Sequence, residues 1–382
     1  MVGTVLALLL VGFALALPAT WLLVRLGHRV GALDTPGVAG HVKELRRVPN
    51  IGGVAIFWAV AGPLAAGLAA VAFAPDALAE RLPGLSAHLE RVASARSAWL
   101  VILAGAFAIH VLGLVDDRRA LGAWPKLLLQ IAVALGTTLF SDVRLLQNFL
   151  AAYPGGEAAS IAITVAWIIV VVNAVNFIDN MDGLAGGIAL IAALAFMVAT
   201  ILTAQWFVAS ALALLAGALG GFLVFNVAPA RIFMGDGGSL FIGYMLATLA
   251  ARTVYIDTDH AGYALGSAWY GVFMPIIVLA IPLYDGVYVT LWRISRGKSP
   301  FIGGHEHISH RLVELGLSKR RAVGVLWLLT GVTAMSAIGL GLLRPWQAAL
   351  VGLQLLGIFA VMAVLETSVA RRDSNPRRGD GA

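Results

Sequence analysis

Two neighbouring carboxylates, Asp116 and Asp117, end an apolar segment and precede the cations Arg118, Arg119 and Lys126. Adjacent carboxylates repel each other unless a proton, a metal ion or a nearby cation offsets their charge. The pair could therefore bind a divalent metal or accept a proton in catalysis. The alternative is a loop acid pair that the neighbouring arginines neutralise, and the sequence leaves both interpretations open.

Lys126 and Gln130 lie four residues apart in LGAWPKLLLQ at 121–130, where the next apolar run begins. On a helix, residues with this spacing share one face. We expect that face to present a cation and an amide to a phosphate group.

A second polar stretch, NAVNFIDNMDGLAGG at 173–187, lies between two apolar runs. Asn173, Asn176, Asp179 and Asp182 recur every three residues, so any consecutive three lie within one broad face of a helix. We expect Asn176 and Asp179 to face a common cleft at a helix end, where the following glycines let the backbone approach a ligand closely. The alternative is a polar helix–helix contact in which Asp179 caps a helix.

The third stretch, FMGDGGSLFIG at 233–243, places Asp236 in a glycine-rich turn. The pattern predicts that a helix starts near Ser239, and the backbone N–H groups of a helix start favour anions. Beside a phosphate site, Asp236 would be a hard-oxygen ligand of the kind that Mg²⁺ prefers. A purely structural turn is the alternative.

The fourth stretch, SPFIGGHEHISHR at 299–311, carries His305, His307, His310 and Arg311. Arginine offers a bidentate fork to phosphate oxygens and histidine adds a donor, so the pattern favours a phosphate-binding cluster. A zinc site is a weaker interpretation, because the spacing in HEHISH is not typical of zinc ligands. We interpret the cations just before this stretch as ordinary topology charges: Arg293, Arg296 and Lys298.

The elements that must position these residues are apolar helices. The chain is 60% hydrophobic and 12% charged, about half the charged fraction of a soluble protein. It contains no cysteine, which excludes disulfides and thiolate metal sites. We predict an all-α polytopic membrane protein with about eleven spans, and Pro275 and Pro282 predict a kink in the ninth. The spans are approximately 3–24, 51–74, 98–115, 124–141, 159–178, 184–204, 206–225, 238–251, 269–292, 322–342 and 346–368.

The basic residues predict the orientation of these spans. Of the 26 Lys and Arg residues, 20 fall in or beside the loops after odd-numbered spans and in the tail. The positive-inside rule then places the N-terminus outside and the C-terminus in the cytoplasm. All four polar stretches share the cytoplasmic side in this topology. We expect a single membrane domain over 1–370, a disordered tail over 371–382, and no nucleic-acid partner, because the net charge of +6 reports topology and lipid headgroups.

Taken together, the stretches predict a class of chemistry. One face offers carboxylates suited to Mg²⁺, cations suited to a diphosphate, and an adjoining lipid phase. These features fit phosphoryl transfer between a nucleotide-activated compound and a lipid phosphate. This reaction requires the protein mainly to position the reactants and to neutralise their charge. The alternative from another class is a lipid-linked transporter or flippase with an acid relay inside the membrane, but only Asp285 lies well within a predicted span.

Five motifs in fixed order cover nearly the whole chain. They are DTPGVAGH…VPNIGG at 34–53, LGLVDDRRALGAWPKLLLQ at 112–130, the stretches at 173–187 and 233–244, and SPF…HISHRLVELGLS at 299–318. This set resembles the polyprenyl-phosphate N-acetylhexosamine-1-phosphate transferase family, which includes undecaprenyl-phosphate GlcNAc-1-phosphate transferases and the phospho-MurNAc-pentapeptide translocase. The resemblance implies transfer of a sugar 1-phosphate from a UDP-sugar to undecaprenyl phosphate, with release of UMP. It implies Mg²⁺, or Mn²⁺ in its place, and a bacterial plasma-membrane enzyme whose site faces the cytoplasm.

The resemblance also implies roles for individual residues. Asp116 and Asp117 would help to activate the lipid phosphate, Asp179 and Asp182 would line the nucleotide and metal region as catalytic residues, and Asp236 with Asn176 would ligate the metal. The substrate contacts would be Lys126, Gln130, His41, His305, His307, His310 and Arg311. Attack by the lipid phosphate on the β-phosphorus is favoured over a covalent intermediate on an aspartate.

Three departures from the GlcNAc branch affect the expected donor. Ser309 stands where relatives show a histidine, Gly304-His305 replaces an Asp-Lys pair, and Ala39-Gly40 replaces an Arg-Lys pair. GlcNAc is nevertheless the favoured sugar. The absence of a triple-His, Phe-Glu ending argues against the MurNAc-pentapeptide branch, which is the alternative. The sequence leaves the oligomeric state open, with a homodimer among the alternatives.

Overall fold

The computed structural model describes residues 1–33, 46–81, 89, 92–253, 269–299, 304 and 306–373. Across these residues the regular secondary structure is helical, without a β-strand, as predicted from the sequence. The α-helices, labelled in chain order, are α1 (Val2–Val30), α2 (Gly52–Phe73), α3 (Pro75–Arg81), α4 (Arg96–Arg118), α5 (Ala123–Phe140), α6 (Gln147–Leu150), α7 (Gly156–Ile178), α8 (Leu184–Leu202), α9 (Trp206–Asn226), α10 (Gly235–Thr253), α11 (Met274–Val278), α12 (Ala280–Ser295), α13 (Ile308–Glu314), α14 (Lys319–Ala337) and α15 (Pro345–Asp373).

Among the described residues, nine helices are long and apolar enough to cross a membrane, and a bent pair makes a tenth. The nine are α1, α2, α4, α5, α7, α8, α9, α14 and α15. The sequence predicted about eleven spans, which is one or two more than the structure gives among the described residues. Each predicted span nevertheless coincides with a helix or with the bent pair. α15 continues to Asp373 and the residues after it lie outside the described part, so the tail predicted over 371–382 stays a prediction.

The predicted span at 238–251 corresponds to α10, which is not among the nine helices. Other helices surround it. Except for Asp236 and Arg252, every residue from Gly235 to Thr253 is buried. The helix packs against α2, α4, α7, α8 and α9. Because its sides contact protein rather than lipid, it can include glycine, threonine and tyrosine at little cost. Its N-terminus lies at Gly235, four residues before the predicted start, so Asp236 belongs to the first helical turn.

The predicted proline kink in the ninth span is confirmed. The 3₁₀-helix Trp269–Phe273 leads into α11, and the segment Trp269–Val278 meets α12 at an angle of 71°. Leu279 separates the two parts. Pro282 has no N–H to donate to the carbonyl of Val278, so an unbroken helix is unfavourable at that point.

Glycines allow the start of α10 to lie against its neighbours. A side chain at Gly113, near the end of α4, would collide with the backbone of Asp236 and Gly237. A side chain at Gly53, at the start of α2, would collide with the backbone of Gly238. Close helix contacts through small residues are typical of membrane proteins. Here they bring the end of α4 against the first turn of α10.

We expect Gly113→Ala to destabilise the protein, because the added methyl group meets backbone atoms that have no room to yield. Overpacking of this kind costs about 1–3 kcal/mol. Gly136→Ala in α5 is the matched control, since nothing lies within 4 Å of the added atom, and alanine favours a helix by roughly 0.8–1 kcal/mol over glycine. Thermal unfolding in detergent micelles should show a lower transition temperature only for Gly113→Ala. Equal transitions would contradict the packing described here.

Candidate active site

The end of α4 and the starts of α5 and α10 meet at one lysine. The Nζ of Lys126 donates to Oδ2 of Asp116 at 2.8 Å and to Oδ2 of Asp236 at 2.6 Å. From the end of α7, Nδ2 of Asn176 donates to Oδ1 of Asp236 at 3.1 Å and to Oγ of Ser239 at 2.8 Å. We refer to Asp116, Lys126, Asn176 and Asp236 as the acid–lysine cluster. Three motifs that are distant in the sequence thus contribute to one site.

The electrostatics of this site favour a cation. Asp116 and Asp236 both contact the ammonium group of Lys126, so the cluster has an excess of one negative charge when both carboxylates are ionised. The side chains of Asp116, Lys126 and Asp236 are 13%, 20% and 28% exposed, so a ligand can reach them. Partial burial strengthens the field of such charges relative to water.

Asp117 has a different environment from its neighbour. Its Oδ1 accepts from Nδ2 of Asn50 at 3.0 Å and from the N–H of Asp236 at 2.9 Å, and its Oδ2 accepts from the N–H of Gly237 at 3.0 Å. The first N–H groups of a helix have no partner within that helix. The anion that the sequence predicts at this helix start is therefore the carboxylate of Asp117 itself. Asn50, which the sequence did not single out, completes the contact.

Gln130 is held one helical turn beyond Lys126. Its Oε1 accepts from Nδ2 of Asn173 at 2.7 Å, and the same amide nitrogen donates to the carbonyl of Ile169 at 2.8 Å. Because that carbonyl can only accept, the amide orientations of Asn173 and Gln130 are both determined. The predicted shared face of Lys126 and Gln130 is thus directed toward α7 and α10. The Nε2 atom of Gln130 is buried and has no protein hydrogen-bond partner in the described part of the chain.

The two aspartates after α7 occupy different positions. Asp179 is the residue that follows the last turn of α7, and its N–H donates to the carbonyl of Asn176. Asp182 accepts from Nη1 of Arg46 through both oxygens, at 2.7 and 2.9 Å, and from the N–H of Ala230 at 2.9 Å. The ion pair fastens the chain before α2 to the turn between α7 and α8. The sequence did not single out Arg46, which makes this contact.

A hydrogen bond joins the fourth stretch to the same region. In α13, the Oγ of Ser309 donates to Oδ1 of Asn180 at 2.6 Å, next to Asp179. Arg311 is 5% exposed, and its Nε donates to the carbonyl of Glu306. His310 is half-buried on the same short helix. The described part of the stretch is therefore attached to the turn after α7.

Two acidic residues that the site predictions omitted hold this stretch in place. Asp285 is paired with Nδ1 of His307 at 2.7 Å. Glu306 accepts from Nη2 of Arg293 at 2.9 Å. Burial would raise the pKa of Glu306, but the hydrogen bond and charge of Arg293 outweigh it and hold that pKa below its usual value. Contrary to the sequence prediction, Arg293 is not an ordinary topology charge, because it is 3% exposed and ion-paired.

Some predicted residues cannot be placed. His41 and His305 lie outside the described residues. Within the described ranges, no group of three or more His, Asp or Glu side chains is arranged to ligate a metal. The oxygen atoms of Asp116, Asp236 and Asn176 nevertheless match in kind the ligands that Mg²⁺ prefers.

Comparison with known proteins gives one family match. Residues 99–254 match the family model described as glycosyl transferase family 4. This range contains the acid–lysine cluster and the turn that carries Asp179 and Asp182.

Similarity to individual proteins extends over nearly the whole chain. The chain is 31% identical over 353 residues to a probable undecaprenyl-phosphate N-acetylglucosaminyl 1-phosphate transferase of Bacillus subtilis, covering 90% of this chain and 85% of that protein. It is 32% identical over 376 residues to the decaprenyl-phosphate N-acetylglucosaminephosphotransferase of Mycobacterium tuberculosis H37Rv, with 93% and 85% covered. A phospho-N-acetylmuramoyl-pentapeptide-transferase of Desulforudis audaxviator is 31% identical over 329 residues, with 80% and 86% covered.

Proposed function

The chain belongs to glycosyl transferase family 4, and from this membership we propose that it transfers N-acetylglucosamine 1-phosphate from UDP-GlcNAc to a polyprenyl phosphate, undecaprenyl phosphate in particular. An oxygen of the lipid phosphate attacks the β-phosphorus of the donor. The bond from that phosphorus to the oxygen bridging the two phosphates breaks, and UMP leaves. The product is a polyprenyl-diphospho-sugar. Its formation would be the first membrane step in the assembly of a cell-envelope glycan such as lipopolysaccharide or teichoic acid.

The observation that carries this proposal is the convergence of the sequence motifs at the acid–lysine cluster. Lys126 bridges Asp116 and Asp236 where two membrane-crossing helices meet the first turn of α10. A lipid phosphate at the end of such helices reaches this position while its hydrocarbon chain stays in the membrane. Phosphoryl transfer needs positioned charge more than covalent chemistry from the protein, and the cluster supplies both signs of charge.

Asp236 and Asn176, the predicted metal residues, would hold Mg²⁺, with Mn²⁺ as a substitute; Asn176 would have to turn its amide oxygen, rather than its Nδ2, toward the ion. The donor set fits a hard cation, and the excess negative charge of the site favours a divalent one. When bound, the ion would neutralise the phosphate oxygens during transfer. Lys126 would stay beside them as a fixed positive charge. Asp116 accepts from this ammonium group, so it orients Lys126 toward the phosphates.

The geometry separates the two adjacent aspartates. The carboxylate of Asp117 accepts from Asn50 and from the first N–H groups of α10. Asp117 would therefore hold the backbone at Asp236 in position. Asp116 accepts from Lys126 and from the N–H of Leu121, so it is the member closer to the charges that act on substrate. Neither aspartate has to become a nucleophile, and we retain direct attack by the lipid phosphate over a covalent intermediate.

The remaining predicted residues would bind the donor. Asp179 and Asp182 frame the turn after α7, where the nucleotide would lie. His307, His310 and Arg311, with His41 and His305, would contact the diphosphate or the sugar. Gln130 would add its Nε2 donor beside Lys126. The site would face the cytoplasm of a bacterial plasma membrane, in keeping with the excess of Lys and Arg on the loops that carry it.

The decisive experiment assays the purified protein with undecaprenyl phosphate, Mg²⁺ and a panel of UDP-sugars, scoring UMP release. We expect release with UDP-GlcNAc, no release without lipid phosphate, and loss of activity when a chelator removes the metal. Absence of UMP with every UDP-N-acetylhexosamine would refute the enzymatic proposal. A labelled phosphosugar trapped on the protein without the lipid acceptor would instead establish the covalent route.

The Desulforudis audaxviator relative provides a second candidate, a phospho-MurNAc-pentapeptide transferase. The same assay separates the two activities when UDP-MurNAc-pentapeptide is included in the panel. The relatives are named as transferases, which argues against the transporter alternative.

A further inference from the structure

Asp285 is a buried carboxylate inside the bent pair of helices, and none of the roles proposed above in catalysis or substrate binding belongs to it. Its side chain is 0% exposed. An acidic group buried at such a position is costly unless its oxygens are hydrogen-bonded. Both oxygens have partners here: Oδ2 lies 2.7 Å from Nδ1 of His307, and Oδ1 accepts from the N–H of Ile308 at 2.8 Å. A single carboxylate of α12 thus holds a side chain and the adjacent backbone.

The backbone contact orients the residue that carries the imidazole. His307 immediately precedes α13 with an extended backbone, φ −70° and ψ 148°. The N–H of Ile308 is therefore the first unsatisfied donor of that helix. Because Asp285 accepts it while contacting Nδ1, the ring and the backbone of the histidine are fixed to the same group. The ring has little freedom to rotate away from the carboxylate.

With Asp285 ionised, the same contacts fix which ring nitrogen of His307 carries a proton. The N–H of Ile308 can only donate, and an ionised carboxylate only accepts. Nδ1 of His307 must then carry a hydrogen and donate it to Asp285. The other nitrogen, Nε2, is left for a further partner, as a lone pair in the neutral ring and as an N–H donor in the charged ring. Asp285 thereby decides which atom His307 can present.

The position of α13 relative to the acid–lysine cluster is also determined. Ser309 Oγ donates to Asn180 in the turn directly after α7, and α7 carries Asn176 into the cluster. His307 therefore sits two residues from a contact that joins its helix to the candidate catalytic region.

We propose that Asp285 is a positioning residue, which holds His307 in the Nδ1–H form and aims Nε2 at the diphosphate of the UDP-sugar. This inference rests on the proposed function, since it takes His307 as a donor contact. Asp285 itself does not touch the substrate. Its loss should act only through the histidine.

The direct test is ¹⁵N NMR of histidine-labelled full-length protein in detergent micelles, with His307→Gln used to assign the signal. We expect Nδ1 of His307 to be protonated in the unsubstituted protein. In Asp285→Asn, the amide oxygen must remain on the N–H of Ile308, so the amide NH₂ group faces Nδ1 and requires a lone pair there. The proton should move to Nε2. An unprotonated Nδ1 in the unsubstituted protein would overturn the proposal, even if the variant did not fold.

Kinetics distinguish positioning from a purely structural role. Loss of the carboxylate behind an orienting histidine costs roughly 10- to 100-fold in the comparable case of metal ligands, and we expect a similar fall in kcat/KM for Asp285→Asn. The variant His307→Gln should fall by at least as much. The double variant should be no worse than His307→Gln alone, because both changes remove one interaction. Effects that multiply would contradict the proposal.

Ser295→Ala is the matched control on the same helix. It removes the hydrogen bond from the exposed Ser295 hydroxyl to the carbonyl of Trp292 at 2.8 Å and leaves both contacts of Asp285 in place. We expect an unchanged His307 spectrum and unchanged kcat/KM. If the unsubstituted protein released no UMP, the proposed function would fail. The NMR result would still decide whether Asp285 sets which ring nitrogen of His307 carries the proton.

Discussion

Asp236→Asn is expected to abolish sugar-1-phosphate transfer while the protein still folds. The substitution removes the negative charge that Lys126 contacts at 2.6 Å and the carboxylate that would ligate Mg²⁺. The fold should persist, because the backbone N–H of residue 236 remains bonded to Asp117. Loss of one preorganised electrostatic group costs about 100- to 1,000-fold in kcat. UMP release under saturating substrates measures the effect.

The control for this variant is Asp142→Asn, the same chemical change at an exposed residue beyond the opposite end of α5. Asp142 has a φ of 54°, a conformation that asparagine also tolerates. We expect normal activity from Asp142→Asn and similar thermal transitions for both variants. If Asp236→Asn turned over normally, its assignment as a metal ligand would be wrong.

Lys126→Met should lose both activity and stability. It leaves Asp116 and Asp236 facing each other without the cation that each contacts within 2.8 Å. Removing one partner of a fully buried ion pair costs about 3–5 kcal/mol, and the partial exposure of this group reduces our expectation to about 2 kcal/mol. Activity should fall by about 100-fold or more, since a charge that faces the phosphates is lost. Thermal unfolding and UMP release should be measured on the same preparation.

Arg119→Met is the control for Lys126→Met. It removes an exposed cation just beyond the end of α4, the helix that carries Asp116. Exposed substitutions of this kind usually change stability by less than about 0.5 kcal/mol. Lys126→Arg keeps the charge but changes its shape, so it should retain part of the stability and little of the activity. Near-normal turnover by Lys126→Met would exclude Lys126 from the reaction.

The helices, the kink and the family could be predicted from the sequence, because each depends on local information. Apolar runs of about 20 residues predict spans, and Pro282 predicts the break by removing one N–H. The four polar stretches were recognisable by their residue types. Lys126 and Gln130 were correctly predicted to share a helix face, since that spacing depends only on the pitch of a helix.

Only the tertiary structure decided which of these residues meet. Asp117 accepts the first N–H groups of α10, Arg46 pairs with Asp182, and Asp285 holds His307. The burial of α10 on all sides likewise depends on five neighbouring helices. Helical periodicity says which face a side chain occupies, but not which helix lies opposite. That choice follows from packing between distant segments, where glycines such as Gly113 set how closely two backbones approach. The sequence therefore determined the class of membrane enzyme, and the packing assigned each charged group its partner.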